Sequence, residues 1–257
     1  MNDYKDILYN VKNNVATISI NRPKSLNAFT GDTIKEMIEA IHVATAERDV
    51  GVLVITGVGE RSFCAGGDMK WEAEGGLEDL DAPINEVIIE CPKPIIARVN
   101  GYSIGGGNHM AYFCDLTIAA DHAIFGQNGA RVGSPASGYF VSYLANVVGH
   151  KRAREMWLCL RRYTAEEMLN WGMVNAVVPY AELDAEVDRW AQEMLALSPT
   201  CLRLIKQTFY DNVDFMMDQT VDKMLEKHAP NYFETGEQQE GANAFLEKRA
   251  PDFSPWR

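Results

Sequence analysis

Three consecutive glycines, Gly105–Gly107, stand between an apolar run, Pro94-Ile-Ile-Ala-Arg-Val99, and the segment Met110-Ala-Tyr-Phe-Cys114. The order reads as strand, tight turn and helix, with glycine at the helix start. Glycine has no Cβ, so another group can approach this backbone closely, and the first helical N–H groups have no partner of their own. Such an end favours negative charge. We expect these N–H groups to stabilise an oxyanion. The competing reading is a glycine turn that serves packing alone.

The flanking chain predicts alternating strands and helices. Val15-Ala-Thr-Ile-Ser-Ile20 alternates as a strand, and Asn21-Arg-Pro-Lys24 breaks it. Thr30 fits a helix N-cap, followed by Ile34, Met37, Ile38 and Ile41 at helical spacing. Val50–Thr56 is continuously apolar apart from Gly51, as in a strand of a parallel sheet covered on both faces. Residues 57–68 read as a glycine-bearing loop, and the acidic stretch Lys70–Asp81 as a mobile surface loop or lid. Leu116–Ala120 and Ala123–Phe125 predict further strands. From residue 139 the pattern turns helical: Tyr139–Val148, His150–Leu160, Ala165–Trp171, Leu183–Leu197, then two or three more helices to Lys248. The chain thus predicts an α/β core of ββα layers with a largely parallel sheet, residues 1–195, and a helical segment, 196–257.

Ala65-Gly-Gly67 follows the strand at 50–56, and Gly105-Gly-Gly107 the strand at 94–99. If these strands are parallel neighbours, both turns lie at the carboxyl edge of the sheet, where open α/β sheets bind ligands. Two N–H groups meeting there form an oxyanion hole. A net charge of −12 argues against nucleic acid or an anionic membrane as partner. The five cysteines lack framework spacing and fit thiols of a reducing compartment. With no signal-peptide pattern and no long apolar stretch, the expected location is cytoplasmic.

Several segments resemble the crotonase, or enoyl-CoA hydratase/isomerase, superfamily nearly end to end. They are Ile20–Ala28, Phe63-Cys-Ala-Gly-Gly-Asp68, Lys93–Ala97, Asn100–Gly107, Cys114–Ala119, Gly172–Pro179 and Glu240–Arg249. The resemblance implies a crotonase-like ββα superhelix core with a C-terminal helical trimerisation extension, assembled as homotrimers or hexamers. It also implies an acyl-CoA substrate whose thioester oxygen sits between the N–H groups of Gly67 and Gly106. Coenzyme A enters only as part of that substrate, and no metal or permanently bound cofactor is implied. Lys24 is expected at the CoA phosphates, with Lys248 contributed by a neighbouring subunit. Around the thioester the resemblance points to Ala65, Gly66, Asp68, Met69, Tyr102, Gln127, Asn128, Gly129 and Trp157. Of these, Asp68 is expected to hold the turn's N–H groups, and Gln127 and Asn128 to orient water. Asp115 is expected to be structural.

The hydratases of this superfamily use two glutamates, whose positions fall here at His109 and Gly129. The pair that adds water across a double bond is therefore missing. Phe125–Ser134, Ala153–Trp157 and the Gly101–Gly107 segment are similar to a narrower pair, the 1,4-dihydroxy-2-naphthoyl-CoA synthases and the 2-ketocyclohexanecarboxyl-CoA hydrolases. Both run through an enolate next to the thioester. Their shared aspartate falls at Ala136, the synthase's C-terminal tyrosine at Phe233 and its arginine at Leu26. The ring-opening reading loses fewer residues, and His109 becomes the candidate base that activates water, with Ser134, Tyr139 and Tyr143 as candidates to position ketone or water. The alternatives are synthase-like condensation or lyase chemistry, an atypical hydratase or isomerase, and a CoA-ligand-binding member without turnover. A further rival is a serine hydrolase built on Gly101-Tyr-Ser-Ile-Gly105 with His228.

Overall fold

The computed structural model describes residues 4–77 and 83–256. Strands β1 (Ile7–Lys12) and β2 (Val15–Ile20) lead into helix α1 (Gly31–Ala46), then β3 (Val52–Gly57) and β4 (Ser62–Cys64). Helices α2 (Met69–Ala73) and α3 (Ile84–Glu90) precede β5 (Ile95–Val99), β6 (Tyr102–Ile104), α4 (Gly106–Phe113), β7 (Leu116–Ala120) and β8 (Ile124–Gly126). Next come α5 (Tyr139–Val148), α6 (His150–Cys159), β9 (Arg162–Thr164), α7 (Ala165–Trp171), β10 (Ala176–Val178) and α8 (Leu183–Leu195). The chain ends in α9 (Pro199–Asp211), α10 (Asp214–Met217), α11 (Val221–His228) and α12 (Glu237–Leu246).

The strands form two sheets. The larger has the order β1-β2-β3-β5-β7-β10, parallel throughout except for the β1–β2 hairpin. The smaller has the order β4-β6-β8-β9, parallel except at β8–β9. All of β3 is buried because the larger sheet is covered on both faces. Leu53 and Ile55 pack with Ile34, Met37 and Ile41 of α1, whereas Val52 and Val54 pack with Leu183, Val187 and Ala191 of α8. Burying each of those α1 side chains is worth about 1.5–3 kcal/mol.

Thr30 caps α1 in a reciprocal box with Thr33, as the N-cap reading expects. Other segments differ from the sequence reading. The loop at 57–68 contains β4, and the tight turn after β5 contains β6, so the two glycine turns leave the smaller sheet rather than the larger one. Their strands are nonetheless parallel neighbours. The supposed lid begins as the ordered helix α2, while residues 78–82 lie outside the described residues. Among the described residues beyond Leu197 there are four α-helices rather than two or three. They fold back on their own core: Lys206 of α9 reaches Asp115, and Gln238 of α12 reaches the backbone of Glu72. Among the described residues no helix is long and apolar enough to cross a membrane.

Candidate active site

The loop between β3 and β4 is held by two buried amides. Asn100 Nδ2 donates to the carbonyls of Gly57 and Gly59 (2.9 and 2.6 Å), and Asn27 Nδ2 donates to that of Ser62 (2.7 Å). This fixes the exit of β4 into Ala65-Gly-Gly67. Phe29 N–H donates to the Gly66 carbonyl (2.9 Å), and Asp68 N–H donates to the Phe29 carbonyl (2.7 Å). In such a parallel bridge the flanking residues bond to Phe29, and Gly67's own N–H points elsewhere. Gly66 and Gly105 have φ of +97° and +56°, a region open to glycine. The two turns touch: a Cβ on Gly66 would lie 3.6 Å from the Gly106 nitrogen. Gly106 is the first residue of α4, where no intrahelical acceptor exists. Neither the Gly67 nor the Gly106 N–H meets an acceptor among the described residues.

Both glycines line a cavity of about 420 Å³, and His109, Ser134 and Tyr139 line it as well. All five residues proposed for catalysis thus share one chamber. His109 Nε2 lies 3.0 Å from the Gln127 side-chain amide, which holds the ring in place. Phe140, Trp157 and Tyr112 surround the imidazole at 5.4–5.6 Å between ring centres. Burial lowers its pKa to about 4, partly offset by the Gln127 bond, so the ring is neutral at physiological pH. Tyr139 opens α5 with its phenol beside Glu86 and Asn85; burial first, then the Glu86 charge, raises its pKa far above the ordinary tyrosine value. It therefore stays a proton donor. Ser134 is positioned by its N–H, which donates to the Gly129 carbonyl (3.0 Å), and Ala136 lines the chamber nearby.

The remaining expected residues are distributed more widely. Ala65 and Gly66 form the turn itself, while Asp68 caps α2 by accepting from Lys70 N–H (3.1 Å) and pairs with Arg22 (3.1 Å). Met69 is the first residue of α2. Gln127 and Trp157 lie behind His109, touching its ring rather than the chamber. Asn128 accepts from Arg162 (3.2 Å), and Gly129 starts a short 3-10 turn; neither lines the cavity. Tyr102 opens β6 and is 44 % exposed, whereas Ser103 and Ile104 after it are buried. Tyr143 stacks on Phe113 at 4.4 Å, a packing position. Lys24 and Lys248 are exposed and away from the chamber. Ser103 is fully buried in β6 and donates to the Gly107 carbonyl (3.3 Å), whereas His228 is exposed at the end of α11; no nucleophile elbow exists there.

Three carboxyls in the chamber were missed by the sequence reading: Glu72 of α2, Glu86 of α3 and Asp222 of α11. Glu72 is 4 % exposed, its Oε2 has no hydrogen-bond partner among the described residues, and a Cβ on Gly67 would overlap its Oε1. Burial, reinforced by the Asp68 charge, raises its pKa from 4.5 to about 7. The available signal was Asp68 as an N-cap: it starts a helix that carries Glu72 at its fourth position.

This burial has a consequence for stability. The native state holds a proton on Glu72 that the unfolded chain releases, so stability from this group falls as pH rises from 4.5 to about 7. Glu72→Gln is expected to match the parent at pH 4.5 and to exceed it by up to about 3 kcal/mol at pH 8. Urea unfolding of both proteins at the two pH values measures the difference.

The fold and the chamber define a CoA-thioester enzyme of the crotonase type. Residues 10–255 match the enoyl-CoA hydratase/isomerase family, and the chain belongs to it. It is similar to an enoyl-CoA hydratase from Mycobacterium avium subsp. paratuberculosis K-10 (27 % identity; 97 % and 99 % of the two chains covered; TM-score 0.85). It is also similar to an enoyl-CoA hydratase/isomerase from Xanthobacter autotrophicus Py2 (30 %; 95 % and 92 %; 0.75). A methylmalonyl-CoA decarboxylase, solved with 2-nitronate-propionyl-CoA, superposes with a TM-score of 0.87 at 26 % identity, covering 97 % and 98 % of the chains.

Proposed function

We propose that this enzyme opens the ring of a cyclic β-keto-acyl-CoA by hydrolytic C–C cleavage. The observation that carries the reading is the lining of the chamber. It joins two unbonded backbone N–H groups to neutral donors and carboxyls, and among the described residues it contains no lysine or arginine. Its acidic side chains are Glu72, Glu86 and Asp222. Such a chamber favours a neutral acyl group and repels one that bears a carboxylate. That weighs against synthase-like condensation of a succinylbenzoyl thioester. Phe233 lining the chamber where the synthase has a tyrosine weighs against it too.

In this mechanism the thioester oxygen accepts from Gly67 and Gly106, and Tyr139 or Ser134 positions the ring ketone. Water adds to the ketone carbon and passes a proton to His109. The bond from the ketone carbon to the α-carbon then breaks, and its electron pair moves into the thioester as an enolate. The two N–H groups stabilise that charge as it develops. The ketone carbon becomes a carboxylic acid, still tethered through the opened ring, and the α-carbon takes a proton. Lys24 and Lys248 serve the CoA phosphates, the latter across a subunit boundary; Ala65, Gly66, Asp68 and Met69 flank the thioester. The exposed apolar side chains Leu204, Ile205, Phe209 and Phe245 on α9 and α12 support burial of the C-terminal helices in a homotrimer or hexamer.

Decarboxylation is the second reading, supported by the likeness to methylmalonyl-CoA decarboxylase, since it too needs a thioester enolate, and opposed by the same acidic lining, since its acyl group bears a carboxylate. The two separate by product. A cyclic β-keto-acyl-CoA, methylmalonyl-CoA, o-succinylbenzoyl-CoA and crotonyl-CoA are each incubated with enzyme in heavy-oxygen water, and products are weighed. One heavy oxygen in a new carboxylate from the first thioester is expected. Carbon dioxide from the second, cyclisation of the third or rapid hydration of the fourth would replace the reading, and binding without turnover would leave a CoA-ligand-binding protein.

A further inference from the structure

We propose that Glu72 is a catalytic acid-base residue, carrying the proton to and from the α-carbon of the thioester. The inference rests on the enolate reading above but not on ring opening. Helix α2 begins at the same turn as Gly67, because Asp68 caps it, and its first turn brings Glu72 back over that glycine. The carboxyl is buried on the chamber wall, with Oε1 packed on Gly67 and Oε2 unpartnered among the described residues. Gln238 of α12 donates to the Glu72 carbonyl (3.1 Å), which fixes the helix from the far side. An acyl oxygen bonded to Gly67 N–H leaves the α-carbon two bonds away, beside this carboxyl.

An unpartnered carboxyl buried in the chamber wall costs stability, and groups kept at such a cost cluster at functional sites. Here a task is available, since the hydratase glutamate positions hold His109 and Gly129. In the forward step the Glu72 O–H bond breaks and its proton forms a C–H bond with the enolate α-carbon. The enolate electron pair becomes that bond, and the thioester carbonyl re-forms. Glu72 is left as carboxylate and takes a proton from solvent, while His109 returns the one it received from water. The raised pKa of Glu72 suits this exchange near neutrality.

The test uses cyclohexanecarboxyl-CoA, a saturated thioester that cannot be ring-opened, incubated with enzyme in heavy water. Wild-type protein is expected to add one deuterium at the α-carbon, read by mass spectrometry. Glu72→Gln should slow this at least about 100-fold with thioester affinity retained, whereas Glu74→Gln, an exposed acid next to the same helix, should exchange at the wild-type rate. Glu72→Asp, which keeps the acid but shortens its reach, should fall between, and circular dichroism checks that each variant is folded. Wild-type exchange by Glu72→Gln, or no exchange by wild-type enzyme that binds the thioester, overturns the proposal. Glu72-dependent exchange without ring opening of the β-keto thioester would retain Glu72 and discard the ring-opening reading. Full ring opening by Glu72→Gln would do the reverse.

Discussion

Gly106→Ala is expected to lower kcat about 10²–10³-fold while leaving the fold and thioester binding close to wild type. A Cβ at this position would sit 2.5 Å from Cε1 of Phe29, the residue whose backbone also brackets Gly67. The Phe29 ring, which lines the chamber and meets Trp71 edge-on at 6.3 Å, and the start of α4 must part to admit that carbon. Alanine itself suits the helix, being about 1 kcal/mol better than glycine within one. The damage therefore falls on where the Gly106 N–H points. A donor displaced from a developing oxyanion costs about 2.7–4 kcal/mol of transition-state stabilisation, and a shift of about 1 Å is enough to cost 10²-fold. Steady-state kinetics on the thioester turned over, with a thermal melt and a binding titration alongside, would resolve these parts. Turnover within threefold of wild type would mean that the oxyanion is held elsewhere.

The features that could be read in the chain were those where a local rule and the global fold agree. Thr30 starts α1 because a threonine cap precedes a helical apolar stripe, and the continuous run before Gly57 forms a strand buried on both faces. The two glycine turns announced their closeness because no side chain other than hydrogen can stand where Gly107 meets the Cys64 carbonyl. Hairpin β1–β2 was missed although its signal was present. Asn13 and Asn14 have φ of 51° and 64°, the two left-handed residues that a two-residue hairpin turn needs, and asparagine tolerates them. The alternation Ile7, Tyr9, Val11 was hidden in a polar N-terminus on an edge strand with one buried residue.

The chamber was legible only from one side. Residues that make it by backbone geometry, Gly67 and Gly106, stand in short rigid segments close to their strands. Residues that enter from flexible-looking sequence were not. Glu72 lies in a stretch whose acidity suggests solvent, and its burial depends on Gln238, distant in sequence and brought back by α12. His109 was legible as a chamber residue, but its low basicity comes from three aromatic rings on α4, α5 and α6. No periodicity along one helix encodes such a cage. Tyr102 and Asn128 were carried by resemblance alone; Tyr102 stands exposed at the start of β6 and Asn128 is held by Arg162.

Lys206→Met is expected to destabilise the protein by about 2–3 kcal/mol, with a fall in melting temperature of roughly 5–10 °C. In α9 this lysine reads as one of several polar positions of a surface helix, yet its side chain is 7 % exposed. Its Nζ donates to Asp115 Oδ2 (2.7 Å) and to the carbonyls of Lys93 (3.0 Å) and Ile88 (3.3 Å). Asp115 Oδ2 also accepts from Ile95 N–H (2.7 Å), so one ammonium ties the C-terminal helices to the first residue of β5. Methionine fills most of the volume but leaves a carboxylate without its cation and two carbonyls without their donor. Most of the loss is that penalty rather than the worth of the ion pair. The double variant Lys206→Met/Asp115→Asn should therefore recover part of the stability, because it removes the unpaired charge; chemical unfolding of the three proteins measures the coupling. Strand β5 leads through Asn100 into β6 and the glycine turn. A loosened β5 start should thus lower turnover before the protein melts, whereas a purely local effect would leave kcat unchanged at 25 °C.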